Sequence, residues 1–516
     1  MSVNFSEKDL GAVATPTKTA EYIITRLGKI DKNKKILDPC VGPGVFIEVL
    51  LKKNVSKEQI YAYDIDNKYR KKIENHSVKF KHIDTILSFN DEDKNQFDFI
   101  VGNPPYLNKS SKYIKKHRKV LKKIYGNINA HETYSMFIVN GIWRLKEGGR
   151  LGFITSDSFL TLRTHNKLRD FILQSCLINE ITLPPNNLFD DQDVSTTPVI
   201  IILTKKTGIE NKENRLNNEI RLIPRLETED DYQKPPLEYK IKQKKYYNLP
   251  FHIFHVNVED QIIEMFEQAP KLENFLKGFI GMHTHNNKKY IAAIEGTELA
   301  EIFEKRNHNI KRNEEWYRII SKEEFKSDKW RPYLKRGGFE QYYRPIVEAL
   351  YWDEEAIEIY DIPENVPFLE EGIVISGVSS RLAARYMPKG CYWDSNKAIG
   401  FINIKNDSIS IECLLGFLNS SLYNYLAKGI INNTNSIQIT GIHALPFLVP
   451  PEEIKSKVEG LVKQIISNKK KHQEYNYFEE QEKIDTLIFD FYSKIFNFTS
   501  ELKEKLDKEY SVYGKR

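Results

Sequence analysis

Four residues after an apolar run have the types and spacing to act on an amine. The stretch FDFIVGNPPYLNKS, residues 97–110, places Asn103, Pro104, Pro105 and Tyr106 at the end of that run. An amine on an aromatic ring is a poor nucleophile, because its lone pair is delocalised into the ring. Two acceptors placed on its two hydrogens favour the tetrahedral geometry that attack requires. The Asn103 side-chain oxygen is one candidate acceptor, and the carbonyl of Pro104 or Pro105, in a turn that proline keeps rigid, is the other.

The aromatic ring of Tyr106 predicts that the amine belongs to a planar base such as adenine. Such a site needs no general base of matched pKa, and the reaction is an in-line displacement that depends on positioning. A base in a duplex must be flipped out to reach the site, at a cost of a few kcal/mol. Phe189 could cover the second face of the base, although a core aromatic before a strand is the simpler interpretation. The alternative for the four residues themselves is a plain turn.

A second set of residues predicts a site for a cationic cofactor. The apolar runs ending at Asp38 and Asp64 each place an acid at a strand end, and Gly42 and Gly44 allow a tight turn into a helix. The pattern lacks the third glycine of a dinucleotide site. An acid at the strand end, such as Asp38, suits the ammonium and sulfonium of S-adenosylmethionine. Asp64 suits the hydroxyls of its ribose. Thr15 could hold the carboxylate of the cofactor. A helix cap is the alternative for Asp64 alone.

A basic segment follows Tyr106 directly. Residues 109–123 contain eight Lys or Arg and no acid. Beside a base-binding turn, such a segment predicts contacts to DNA phosphates, whereas a solvated helix face is the usual alternative. Further candidates for DNA contact lie in the region 250–450. The predicted DNA-binding residues are Lys109, Lys112, Lys115, Lys116, Lys335, Arg336 and Arg381, and Arg385 is a further candidate.

The elements that must position these residues form an alternating pattern from residue 19 to 203. Helix-like and strand-like stretches alternate, which predicts an α/β fold with a parallel, doubly wound sheet and a site at the carboxyl ends of its strands. Residues 207–250 are polar and predict an inter-domain connection. We expect a catalytic domain over residues 1–240, a target-recognition domain over 241–450 and a helical segment over 451–516.

Composition sets broad limits on these predictions. The 516 residues carry a formal net charge of +6, which is compatible with a polyanionic partner. The four cysteines form no CxxC pair, so we expect neither a zinc site nor a disulfide framework. The first residues do not resemble a signal peptide, and no apolar run approaches the length of a membrane span. A cytoplasmic protein with no membrane contact is expected.

With these motifs in order, the chain resembles the gamma class of adenine-N6 DNA methyltransferases, the enzymes like TaqI. The resemblance covers residues 12–450, from Thr15 through LDPCVGPG, YAYDID, HIDTIL and VGNPPY to recognition-domain landmarks such as FIGMHTHNNKKYI. It implies a Rossmann-like methyltransferase domain, then a mixed α+β target-recognition domain and C-terminal helices. It also implies that Asp84 contacts the cofactor adenine and that Phe189 completes an aromatic sandwich around the target base.

The resemblance also implies a function. We expect a site-specific adenine methyltransferase of prokaryotic double-stranded DNA that uses S-adenosylmethionine and no metal. It would act as a monomer at the nucleoid, and it would pair functionally with a separate restriction endonuclease. The alternatives are an NPPY methyltransferase of RNA or of protein glutamine, and a DNA recognition subunit that binds without catalysis.

Overall fold

The structure of the chain, a computed structural model, divides into two compact units. These are Met1–Val258 and Glu259–Arg516. The described residues are 11, 13–190, 197–310, 316–335, 338–395, 397–405, 408–432 and 434–513. The break therefore falls after the boundary near residue 240 that the sequence suggests, and the helices beyond residue 451 belong to the second unit.

The first unit contains one large sheet. Across the sheet the strand order is β3-β2-β1-β4-β5-β7-β6-β8-β9. The five strands from β3 to β5 run parallel, and β7 is antiparallel to both of its neighbours. Within the described residues the strands are β1 Ile36–Asp38, β2 Ile60–Asp64, β3 Lys79–His82, β4 Phe97–Gly102, β5 Leu145–Ser156, β6 Cys176–Thr182, β7 Pro198–Lys205, β8 Glu219–Ile223 and β9 Tyr239–Lys242. The predicted α/β class is confirmed.

Helices cover this sheet with their apolar residues. Ile23 and Ile24 of the first helix and Ile47 and Leu50 of the second are buried in a core that also contains strand residues such as Ile36. Apolar residues at helical spacing produce this packing. The helices described in this unit are α1 Thr17–Arg26, α2 Val45–Lys52, α3 Arg70–Asn75, α4 Lys112–Tyr125, α5 Thr133–Arg144, α6 Ser158–Thr161, α7 Asn166–Ser175, α8 Lys212–Asn217 and α9 Lys245–Asn248.

The interpretation of residues 207–250 as an inter-domain connection is wrong. Strands β8 and β9 lie in this segment and complete the sheet of the first unit. Three of the four residues of β9 are exposed, because the strand lies at the sheet edge. An edge strand with mostly exposed residues lacks the apolar pattern by which strands are recognised in sequence.

The second unit is built from two smaller sheets with helices. Their strand orders are β10-β18-β15-β16 and β12-β11-β14-β13-β17. The strands are β10 Leu276–Phe279, β11 Ile291–Ile294, β12 Arg318–Ile320, β13 Trp330–Leu334, β14 Glu348–Tyr351, β15 Gly372–Ser376, β16 Ala384–Met387, β17 Tyr392–Trp393 and β18 Ala398–Asn403.

Helices dominate the end of the second unit, as the charged helical periodicity predicts. The helices described there are α10 Asp260–Gln268, α11 Asn287–Tyr290, α12 Glu298–Asn307, α13 Lys322–Phe325, α14 Glu354–Ile359, α15 Ile411–Asn419, α16 Ser421–Asn424, α17 Ile439–His443, α18 Glu452–Lys471, α19 Phe478–Phe496 and α20 Ser500–Lys505. In the described part of the chain, no helix combines the length and apolar character that crossing a bilayer requires.

Candidate active site

A cavity of about 440 Å³ opens at the carboxyl ends of the parallel strands of the first unit. This is the size of an ordinary small-molecule site, and its position is where α/β sheets bind ligands. Six of the residues predicted from sequence or resemblance line it, namely Thr15, Gly42, Asp64, Asp84, Asn103 and Pro105. Asp38, Gly44, Pro104, Tyr106 and Phe189 are not among its lining residues.

Asp38 lies at the end of β1, directly before the lining residues Pro39 and Cys40. Its side chain is 1% exposed, and burial raises its pKa to about 8, against a hydrogen bond from the Cys40 N–H and with a further contribution from the charge of Asp64. Among the described residues, none provides a hydrogen bond to its second carboxyl oxygen, Oδ2. A buried acid with an unused oxygen suits a ligand that brings a donor or a positive charge.

The turn between β1 and α2 contains two glycines, of which Gly42 holds the carboxylate of Asp64. Gly42 and Gly44 have φ of 49° and 93°, a left-handed conformation that favours glycine. The N–H groups of Gly42 and Asp66 both donate to the Asp64 carboxylate at 2.8 Å. Burial raises the pKa of Asp64, and these two hydrogen bonds oppose the rise. The carboxylate is thereby fixed at the pocket wall with lone pairs left to accept further donors.

Asp84 follows β3 and lies on the same pocket wall. The Tyr113 hydroxyl donates to Asp84 Oδ1 at 3.1 Å and Oδ2 at 2.9 Å. The Leu87 N–H also donates to Oδ1. Tyr113, which the sequence analysis missed, comes from α4 and lines the pocket beside Asp84. Its role depends on a tertiary contact that no sequence pattern signals.

The Asn103 side chain has a defined orientation at the end of β4. Its Nδ2 donates to the Val13 carbonyl at 3.0 Å, and its Oδ1 accepts from the Tyr106 hydroxyl at 2.9 Å. A carbonyl oxygen only accepts hydrogen bonds, so the amide nitrogen must face Val13 and the amide oxygen must face Tyr106. An amide oxygen has two lone pairs, which leaves capacity for one more donor.

The two prolines of the turn differ in their carbonyl partners. The Thr133 hydroxyl donates to the Pro105 carbonyl oxygen and accepts from the Leu107 N–H at 2.9 Å. No hydrogen bond from the described residues reaches the Pro104 carbonyl. Of the two acceptors that the sequence left open, Pro105 is therefore engaged by Thr133, a pocket-lining residue that the sequence analysis did not single out.

Tyr106 and Phe189 do not form parallel faces in this structure. Their ring centroids are 6.3 Å apart, and the rings meet edge to face at 61°. Phe189 is 2% exposed and belongs to the hydrophobic core of the sheet, whereas Tyr106 is half-buried and packs against that core. Phe189 is thus a core aromatic in this structure, and the aromatic sandwich implied by the resemblance stays a prediction.

The basic segment forms an exposed helical face. Lys112, Lys115 and Lys116 lie on α4 and Lys109 lies just before it, and all four side chains are exposed. The helix begins at Ser111, whose hydroxyl accepts from the Ile114 N–H, a usual start signal. The opposite face of the helix is buried, so the cations stand together on the solvent side.

The predicted cations of the second unit have other contacts. Lys335 forms an ion pair with Asp394 at 3.1 Å, and its side chain is 21% exposed. Arg381 donates to the carbonyl oxygen of Ser511 at 2.9 Å, and burial lowers its pKa. Arg385 is buried, which is incompatible with a surface phosphate contact. Arg336 lies outside the described residues.

Three further side chains could hold a metal ion, although the sequence predicts no metal site. His283, His285 and Asp361 are exposed, and their possible ligand atoms all lie within 4.8 Å of one another. His285 Nε2 is 3.0 Å from Asp361 Oδ2. The His-x-His spacing was the signal available in the sequence. This group lies in the second unit and does not line the cavity of the first.

Comparison with known proteins places the site in a family context. Residues 33–189 match the family described as the Eco57I restriction-modification methylase. The type II methyltransferase M.HincII of Haemophilus influenzae is 29% identical over 256 residues, 46% of this chain and 48% of that protein. M.AccI of Acinetobacter calcoaceticus is 27% identical over 234 residues, 42% of each chain. The chain thus spans about half the length of these curated relatives.

The fold also has a solved counterpart. The type IIL restriction-modification enzyme MmeI, solved in complex with DNA, aligns over 94% of this chain and 73% of its own, with a TM-score of 0.54 and 12% identity. At this identity the likeness concerns the fold. Over about half its length the chain is therefore similar to type II methyltransferases, and residues 33–189 match the Eco57I restriction-modification methylase model.

Proposed function

We propose that this chain transfers a methyl group from S-adenosylmethionine to the N6 amine of an adenine flipped out of double-stranded DNA. The observation that carries the proposal is the oriented Asn103 side chain, held by Val13 and Tyr106 beside the proline turn. This chain is similar to proteins named type II methyltransferases, over about half their length. A role in a restriction–modification system, paired with a separate endonuclease, follows from those names.

The residues of the pocket fit the proposed cofactor. Asp38, with its unused carboxyl oxygen, suits the cofactor ammonium, and Asp64 suits ribose hydroxyls. Asp84 would accept from the adenine amine, and Thr15, which is buried at the pocket wall, would hold the carboxylate. When bound, the cofactor supplies an electrophilic methyl group on sulfur.

The chain's own contribution to the reaction is to hold the target amine. Asn103 Oδ1 would accept one amine hydrogen, and the Pro104 carbonyl, which accepts no hydrogen bond from the described residues, would accept the other. Both acceptors are positioned before the substrate arrives, which is what electrostatic preorganisation requires. Tyr106 would stack on one face of the base, and this contact would offset part of the cost of flipping.

The choice of DNA as the substrate rests on the basic face of α4. Lys109, Lys112, Lys115 and Lys116 are exposed directly after the NPPY turn. A row of cations beside a base pocket suits phosphates on both sides of an extruded nucleotide. The amine chemistry alone would suit RNA or a protein glutamine equally, so these remain outcomes of the test.

The direct test is modification sequencing of DNA from cells that express this chain alone. Methyl-adenine at one short motif is the expected result. The matched variant is Asn103→Ala, which should abolish methylation and leave DNA binding in a gel-shift assay unchanged. Turnover by Asn103→Ala would exclude the proposed mechanism. Absence of methylated adenine with wild-type protein would redirect the search to RNA or glutamine substrates, or to binding without catalysis.

A further inference from the structure

Tyr113 connects the cofactor pocket to the basic helix. Its hydroxyl donates to both carboxylate oxygens of Asp84, at 3.1 and 2.9 Å, and the residue is 3% exposed. Both residues line the same cavity. Tyr113 is the second residue of α4, so the hydrogen bond fixes the first turn of that helix to the pocket wall.

The same helix carries two different faces. Tyr113, Ile114, Leu121 and Tyr125 are buried on one side. The exposed side carries most of the cations of the segment: Lys112, Lys115, Lys116, Arg118, Lys119, Lys122 and Lys123. Six residues separate Tyr106, at the target turn, from Tyr113, at the cofactor wall. A change in the order of this first turn would therefore alter the positions of both Tyr106 and Tyr113.

We infer that Tyr113 is a positioning residue through which cofactor binding and DNA binding strengthen each other. This inference rests on the proposed function, because it takes Asp84 as a cofactor contact and the lysines as DNA contacts. A ligand donor on Asp84 would share a carboxylate that Tyr113 already orients, since a carboxylate can accept about four hydrogen bonds. Filling the cavity would also exclude water from the Tyr113–Asp84 hydrogen bond.

The coupling should be positive because both ligands order the same segment, the first turn of α4. Each ligand would hold the first turn of α4 in place, the cofactor from the pocket side and the DNA from the solvent side. The second ligand then no longer has to order that turn, which gives positive cooperativity without a large structural change. The coupling must be reciprocal, so the cofactor and the DNA raise each other's affinity by the same factor.

The experiment measures DNA affinity with and without S-adenosylhomocysteine, which binds without transferring a methyl group. The probe is a short fluorescent duplex of mixed sequence at low salt, followed by anisotropy. We expect wild-type protein to bind the duplex about fivefold or more tightly when the cofactor analogue is present. In Tyr113→Phe, which keeps the ring and loses the hydroxyl, that ratio should fall towards one.

Tyr125→Phe is the matched control. It removes a hydroxyl from the same helix, one that donates to the Ile86 carbonyl at 2.8 Å, accepts from Asn140 Nδ2 at 3.0 Å and does not touch a carboxylate. This variant should keep the wild-type ratio. Loss of the ratio in both variants would assign the effect to general loosening of α4 and would overturn the specific role of Tyr113.

The wild-type measurement alone can overturn the inference, whether or not Tyr113→Phe folds. Calorimetric titration of S-adenosylhomocysteine with and without the duplex must give the same coupling factor. If both ligands bind and the factor is one, the coupling is absent while the proposed function stands. If the analogue or the duplex does not bind at all, the proposed function fails and the inference fails with it.

Discussion

The Tyr106 hydroxyl donates to Asn103 Oδ1 at 2.9 Å, so the residue proposed to stack on the target base also orients the residue proposed to accept its amine. The Val13 carbonyl completes the arrangement by accepting from Asn103 Nδ2. Burial raises the pKa of Tyr106 above its ordinary value, which keeps its hydroxyl protonated as a donor. Tyr106 is thus proposed both to stack on the base and to orient Asn103, and substitutions can separate these two roles.

Tyr106→Phe keeps the aromatic face and loses the hydrogen bond to Asn103. We expect kcat to fall by about tenfold, the value of one hydrogen bond, with DNA affinity unchanged. Tyr106→Ala loses the ring as well, and we expect a further loss of about tenfold or more, because a stacked base is worth about 1–3 kcal/mol. Steady-state kinetics on methylated-base formation would measure both. Equal activities for the two variants would show that the ring does not stack on the base.

Thr133 offers a second test of the turn. Thr133→Val keeps the shape of the side chain and removes the hydroxyl that donates to the Pro105 carbonyl and accepts from the Leu107 N–H. We expect kcat to fall by about tenfold while KM for the cofactor stays within about twofold, because the turn loses its fixed position and the cofactor contacts do not change. Single-turnover and steady-state kinetics would measure this separation.

Thr133→Ser is the control for this experiment. Serine restores both hydrogen bonds and loses only a methyl group, so it should recover most of the activity. A thermal melt of each variant separates the effect on the turn from general instability, since the buried Leu107 N–H loses its partner only in the valine variant. If serine is as inactive as valine, the methyl group matters and the positioning role of the hydroxyl is wrong.

The sequence predicts those strands whose residues are both apolar in sequence and buried in the structure. Strands β1, β2 and β4 were recognised because they are apolar and end in residues suited to chemistry. Strand β6 is harder to recognise in the sequence because it contains Glu180, a residue type that is usually exposed. In the structure Glu180 is buried and paired with Arg26 at 2.6 Å and Arg221 at 2.8 Å. A buried acid with two cationic partners is a tertiary arrangement that one strand's sequence does not reveal.

The site shows the same limit. Asp64 and Asn103 were identified because an acid or amide at a strand end has a local meaning. Thr133 and Tyr113 act on residues that are 28 and 29 positions away in the chain. Their partners are set by how helices α4 and α5 pack beside the sheet, which periodicity alone cannot determine. For Phe189 the simpler sequence interpretation, a core aromatic, agrees with its burial.

Asp38 gives a prediction for the dependence of stability on pH. Its pKa in the folded protein, about 8, is far above the ordinary value near 3.8, so the folded state retains a proton that the unfolded state releases. Between about pH 4 and 8 the unfolded state binds fewer protons, and the stability of the free protein should therefore fall as pH rises. Asp38→Asn removes this slope, and thermal melts across pH 5 to 8 would measure the difference.

Asp98 is the control of opposite sign for that prediction. Burial acts to raise its pKa, but hydrogen bonds from the Lys35 N–H and from Lys146 and Lys34 outweigh it and lower the pKa overall. Its contribution is present above the unfolded pKa and is lost as pH falls. Asp98→Asn should therefore destabilise the protein at pH 7, and the difference in stability should shrink only as pH falls below 3.8 through the lowered folded pKa. The same pH trend for both variants would contradict the assignment for Asp38.

The lysines of α4 give a prediction for DNA binding. Lys115 and Lys119 are exposed one helical turn apart, and each phosphate contact steepens the slope of log K against log salt by about 0.9. If both contact phosphates, Lys115→Ala/Lys119→Ala should lower that slope by up to about 1.8 and weaken binding to all sequences alike.

The control is Lys32→Ala/Lys57→Ala, which removes two exposed lysines. Lys32 precedes β1 and Lys57 precedes β2, whereas the cavity lies at the other ends of these strands. It should leave the slope unchanged. An equal loss in both double variants would mean that only net charge matters, and the basic face of α4 would then have no specific role.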